Sequence, residues 1–195
     1  LYSNAGYTII AQMLQKSSGK SYPEMIADLA KKLNIKIHHG WPNNLGPDQP
    51  WGHMMSNNKT VKLGPDHEYK LPDLIAPAGD LAMTPPDFSE YIRQNLAGLT
   101  GQEGYLTPQT FQKIHFGYRG FSLGVGNGTL HRLNLSVING SAGTFFCQAI
   151  IVPKSDFALT IMSNAGTGAA QMPAIEWMTG KIMARKFNWW WKALT

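Results

Sequence analysis

Tyr7, Ile10, Met13 and Leu14 recur at helical spacing, and Gly19 supplies a stop. A second helix is predicted from about Tyr22 to Leu33, where Tyr22, Met25, Ile26, Leu29 and Leu33 share one face and Pro23 suits the first turn. From Asn34 to Pro77 regular periodicity fades. Pro42, Pro47, Pro50, Pro65, Pro72 and Pro77 punctuate a long loop with room for short strands, the kind of segment that packs over a site. A third helix is expected from Thr84, its cap, to about Leu96, and a short fourth from Pro108 to His115, capped by Thr107.

The period then changes. Phe121, Leu123 and Val125 alternate with small or polar residues as a strand does, and Leu130, Leu133, Leu135 and Val137 make a second candidate. Thr144 to Val152 is a dense β-branched and aromatic run. The turn Pro153-Lys154-Ser155-Asp156 joins it to a hairpin partner, Phe157 to Met162. From about Ala169 to Trp191 the helical period returns, with Met172, Ile175, Met178, Ile182, Met183 and Phe187 as its packed face. Helices first, then antiparallel strands, then a covering C-terminal helix imply an α+β fold rather than a Rossmann-like sheet. Residues 1–118 form a helical and loop region, and residues 119–195 the strands and closing helix of the same domain.

A length of 195 residues suffices for one domain with a core, and 43% hydrophobic against 15% charged residues excludes a disordered chain. The net charge of +5 is dispersed, with no basic run interleaved with aromatics, so nucleic acid is not an expected partner. No apolar stretch reaches the roughly 20 residues that span a bilayer, and no signal peptide is visible. Cys147 is the single cysteine and lies in an apolar run, as a small buried residue would. No Cys/His spacing suggests a metal, and adjacent His38 and His39 would face opposite sides of a strand.

Several blocks carry a resemblance. Tyr2-Ser3-Asn4 precedes Ala5-Gly6-Tyr7, and the helix after it ends in Ser18-Gly19-Lys20-Ser21-Tyr22. Gln49-Pro50-Trp51-Gly52-His53 follows, then Pro77-Ala78-Gly79-Asp80-Leu81-Ala82-Met83-Thr84-Pro85-Pro86-Asp87-Phe88. Phe121 to Gly126, Asn139-Gly140-Ser141-Ala142-Gly143-Thr144-Phe145 and Ser163-Asn164-Ala165-Gly166 complete the order. Together they resemble the serine β-lactamase and penicillin-binding-protein-like hydrolases, class C β-lactamases and their esterase and peptidase relatives. The resemblance implies acyl transfer through a serine, on amide or ester bonds of a small molecule, without a cofactor. By position, Tyr2 would relay protons and Asn4 would hold the substrate amide. Asn139, Gly140 and Ser141 would form an edge-strand wall whose Ser141 N–H serves an oxyanion hole. Family habit further implies a periplasmic or secreted bacterial protein.

Two departures qualify that expectation. The nucleophile of such enzymes sits in a Ser-x-x-Lys turn at a buried helix start, well before Tyr-x-Asn. Here Ser17-Ser18-Gly19-Lys20 ends a helix and Ser56-Asn57-Asn58-Lys59 lies in a polar loop, so neither qualifies. A processed or truncated chain is expected, inactive alone, with a missing N-terminal fragment as a partner. Secondly, Ile138 stands where relatives carry Lys or His, and an apolar side chain cannot orient a carboxylate. A non-catalytic scaffold for ligand or protein binding is therefore the competing reading. Asn139-Gly140 also reads as a simple turn signal. His131 is a conjectural source of the missing positive charge, and His53 of a group near the substrate groove. Trp189-Trp190-Trp191 read as packing on the sheet and on missing strands.

Overall fold

In the computed structural model, residues 3–57, 59–68, 71–166 and 171–189 are described. Helix α1 (Asn4–Ser18) ends where the Gly19 N–H returns to the Gln15 carbonyl. Helix α2 (Tyr22–Leu33) starts on a reciprocal capping box. The Ser21 hydroxyl accepts from the Glu24 N–H, and the Glu24 carboxylate accepts from the Ser21 N–H. Its bounds are those the periodicity predicts.

The long segment is more ordered than a loop. Strand β1 (His38–His39) leads through a 3₁₀ turn, Pro42–Leu45, to the hairpin of β2 (Gly52–Ser56) and β3 (Lys59–Leu63). A 3₁₀ helix, Asp73–Ala78, then precedes β4 (Leu81–Ala82), which returns to pair with β1. The segment is thus closed at its base by His39 opposite Leu81.

Helices α3 (Pro85–Leu99) and α4 (Pro108–Phe116) are capped by the Thr84 and Thr107 hydroxyls, which accept the N–H groups of Asp87 and Thr110. They cross at Gly98, where any Cβ would lie 2.0 Å from the Phe111 ring. The sheet follows as β5 (Gly126–Leu130), β6 (Leu133–Ser141), β7 (Phe146–Val152) and β8 (Phe157–Ser163). It is antiparallel throughout, in the order β5-β6-β7-β8.

Strand β7 explains the layering. Ala149 and Ile151 pack with Phe88, Ile92, Leu96 and Leu99 of α3 and Phe111 of α4. Their alternates Ile150 and Val152 pack with Met183 and Ala184 of α5 (Gln171–Lys186) and with Trp189 beyond it. A strand buried on both faces reads as a continuous apolar run, which is why Thr144 to Val152 looks so dense.

Three expectations need correction. Phe121 to Val125 is not a strand: Phe121 and Leu123 are exposed, while Ser122 is buried with its hydroxyl on the Lys113 carbonyl. Gly124, at φ 85°, turns the backbone there, so the strand begins only at Gly126. His131 and Arg132 lie not on a strand but in the β5–β6 turn, both at positive φ. On α5, Ile175 and Met183 are buried, whereas Met178 and Ile182 are exposed by 45% and 37%. Trp189 is buried, and Trp190 and Trp191 lie outside the described residues.

Candidate functional site

Strand β6 runs past its neighbour. Strand β5 begins at Gly126 opposite Val137, so Ile138 to Ser141 pair only with β7, from Ala149 to Phe146. Among the described residues no strand pairs with this stretch on its β5 side, which leaves an open edge of backbone donors and acceptors. Gly140 and Ser141 line a cavity of about 350 Å³ beside that edge. Met83, Phe145, Phe146, Cys147 and Met162 make most of its wall apolar. Gly140 faces Cys147 across the ladder, and a Cβ there would lie 2.7 Å from the Cys147 sulfur. The Ser141 hydroxyl donates to the Phe145 carbonyl at 2.9 Å and accepts the Gly143 N–H at 3.2 Å. It is thereby tied into the turn at the cavity rim.

Of the other predicted residues, Asn139 and Asn4 do not line this cavity. Asn139 accepts a hydrogen bond from Gln148 Nε2 at 3.0 Å, and Gln148 Oε1 accepts one from the Thr179 hydroxyl of α5. Its side chain thus belongs to the α5 face of the sheet. Asn4 is exposed at the start of α1 and is not among the described residues lining the cavity. Tyr2 lies outside the described residues. Ile138 pairs with Ala149 and packs against the α3–α4 cluster, so it gives the cavity neither charge nor wall.

His131, the conjectural source of charge, and His53, expected near the substrate groove, fare differently. His131 packs its ring against Trp189, centroids 4.6 Å apart and tilted by 55°, at the far end of β6. A strand rising about 3.3 Å per residue puts it roughly 25 Å from Ser141, too far to replace a basic residue there. His53 donates its N–H to the Thr144 carbonyl and holds its Nδ1 at 3.0 Å from the Asn164 carbonyl oxygen, tethering the β2–β3 hairpin to the end of β8. Of the two Ser-x-x-Lys stretches, the first ends a helix as expected, whereas the second lies not in a loop but with its Ser and Lys on two paired strands. The Ser17 and Ser18 hydroxyls both bond the Leu14 carbonyl at the end of α1, and Ser56 pairs with Lys59 across the β2–β3 turn.

Asp80 lies inside the Pro77-to-Phe88 block, where no motif gives it a site role. It lies between Gly79 and β4, half-buried, and lines both this cavity and a second one of about 560 Å³. Burial raises its carboxyl pKa above the usual range; His39 opposes that shift and Asp73 adds to it. Tyr22, whose ring meets His39 edge-on at 5.7 Å, has its hydroxyl pKa raised by burial and by Asp80. The only legible signal was an acidic residue set against the short apolar pair Leu81-Ala82. Cys147 is half-buried rather than fully so, lines the cavity, and has its thiol pushed up chiefly by burial.

His115 forms a separate polar network beneath the site. Its Nδ1 lies 2.6 Å from the Ser136 hydroxyl and its Nε2 2.9 Å from Asn95 Oδ1, with all three residues buried. Burial lowers its pKa to about 4, so it is the neutral imidazole that joins α3, α4 and β6. With all three residues buried, this constellation is structural despite its likeness to a triad.

A family model described as Beta-lactamase matches residues 1–177. The chain belongs to the beta-lactamase family. No curated protein matches it. Among solved structures it is similar to an octameric penicillin-binding protein homologue from Pyrococcus abyssi, at 17% identity and a TM-score of 0.76, over 96% of this chain and 42% of that one. It is also similar to the D-amino acid amidase of Ochrobactrum anthropi SV3, at 16% and 0.74, over 96% and 59%. A class C beta-lactamase matches at 18% and 0.68, over 90% and 55%. Identities this low speak for the fold alone. This chain spans between 42% and 59% of those three structures' lengths.

Proposed function

We propose that the chain forms the substrate wall of a serine hydrolase that cleaves amide or ester bonds through an acyl-enzyme, with residues 1–118 and 119–195 acting as one catalytic domain. The observation that carries this reading is the unpaired edge of β6, running past an apolar cavity at Gly140 and Ser141. In it the Ser141 N–H polarises the scissile carbonyl, Asn4 holds the substrate amide and Tyr2 relays the proton. Neither Ser-x-x-Lys stretch lies at a buried helix start, so the attacking serine comes from a segment or chain beyond these residues. The chain alone is inactive in this reading, and its setting is the bacterial periplasm or exterior. Purified chain should turn over neither nitrocefin nor p-nitrophenyl acetate above the buffer rate; turnover that Tyr2→Phe abolishes would overturn the proposal.

The packing of Ile138 into the core favours a second reading, a non-catalytic scaffold that binds a ligand. A segment bearing a Ser-x-x-Lys helix, added in trans, separates the two. Labelling by a fluorescent penicillin or a p-nitrophenyl ester supports the enzyme, and binding without labelling supports the scaffold.

A further inference from the structure

We propose that this site selects a ligand with a cationic amine and no carboxylate, the amine being received by Asp80. The inference rests on the β6 edge as the substrate wall and adds the class of substrate. The two cavities share Gly40, Trp41 and Asp80, so Asp80 stands on the wall common to both. Neither is lined by a Lys or Arg among the described residues, although the chain as a whole carries +5. The charge at the site is therefore opposite in sign to the charge of the chain.

The state of the Asp80 carboxylate points the same way. Its backbone is committed, the N–H to the Ala76 carbonyl and the C=O to the Gly40 N–H. Among the described residues no hydrogen bond or ion pair reaches its side-chain oxygens; its neighbours are the His39, Asp73 and Tyr22 side chains. A half-buried carboxylate without a partner is costly, and a ligand ammonium supplies the missing partner. Trp41 and Tyr22 also line the larger cavity. A ligand carboxylate would meet Asp80 with no Lys or Arg on either cavity wall to offset it among the described residues, because Ile138 is turned into the core.

Three ligands with one apolar tail and different heads test this: 3-phenylpropylamine, 3-phenylpropanamide and 3-phenylpropanoate, titrated calorimetrically into the purified chain. The amine is expected to bind at least tenfold more tightly than the carboxylate, with the amide between them. Asp80→Asn should remove the amine's advantage and leave the amide unchanged, and Asp80→Glu should restore most of it. Equal binding of amine and carboxylate, or an unaltered amine affinity in Asp80→Asn, overturns the proposal. Should Asp80→Asn fail to fold, amide chemical shifts of the unmodified chain decide. Amine-induced shifts centred on residues 79–81 and Tyr22 support the proposal, and shifts centred elsewhere overturn it. Turnover is measured separately, so Asp80-dependent amine binding by a chain that no serine-bearing segment can activate overturns the hydrolase reading alone.

Discussion

Helices α1 and α3 both carry apolar residues at helical spacing, with opposite fates. On α3, Phe88, Ile92, Leu96 and Leu99 are all buried against β7 and α4. On α1, Ile9, Ile10, Met13 and Leu14 remain exposed by 61%, 52%, 65% and 50%. Periodicity establishes that a helix has an apolar face; only the presence of a neighbour decides whether that face leaves water. The stability of this chain should therefore rest on α3 and the sheet, with α1 contributing little.

The largest expected effect is at Ile92. Replacing it by Ala opens a cavity in the α3–sheet cluster and should cost about 2–5 kcal/mol in urea unfolding. A loss no larger than that of an α1 substitution would break the comparison.

Acid should act next, through the network under α3. The folded His115 pKa of about 4 lies below the ordinary 6.5, so unfolding takes up a proton between about pH 6.5 and 4. Its contribution is complete above pH 6.5 and is lost as the pH falls from 6.5 towards 4, up to about 3 kcal/mol. His115→Leu should flatten that part of the pH–stability curve. At pH 7 it should cost about 1–3 kcal/mol for each polar group left orphaned, Ser136 and Asn95. A wild-type curve flat between pH 7 and 4 would contradict the assignment.

Smaller effects separate the helix caps. Ser21 completes a capping box on α2, whereas Ser3 makes no side-chain cap to α1. Ser21→Ala should cost about 1 kcal/mol and Ser3→Ala a few tenths, both read from thermal unfolding. The smallest change is expected at Met13. Met13→Ser should shift stability by less than about 0.5 kcal/mol, and light scattering should show less self-association because an exposed apolar patch has been broken.

Those contrasts also show what could be read before the fold was known. Helix α2 was legible to the residue because its signals are local: Ser21, Pro23 and Glu24 set the start, and Asn34, at a left-handed φ, sets the end. The β7–β8 hairpin was legible for the same reason, with Pro153 to Asp156 as its turn. Phe121 to Val125 misled because alternation matches a strand even where a glycine turns the chain and the polar member, Ser122, is the buried one. The edge at Gly140 and Ser141 was legible as a family block. That Asn139 turns to α5 and Ile138 into the core was not, because a ladder assigns faces only once its register is set.

The residues by themselves determined the family, the α+β order, most helix bounds and the stretch of strand that borders the cavity, since each is written in short-range spacing or in motif order. Only the tertiary structure decided which apolar faces are covered, that His115 joins three elements as a neutral base, and that Asp80 stands on the wall between two cavities. Those outcomes depend on contacts between residues far apart in the chain, Asn95 with His115 and β4 with β1, and no local pattern encodes the distance between them.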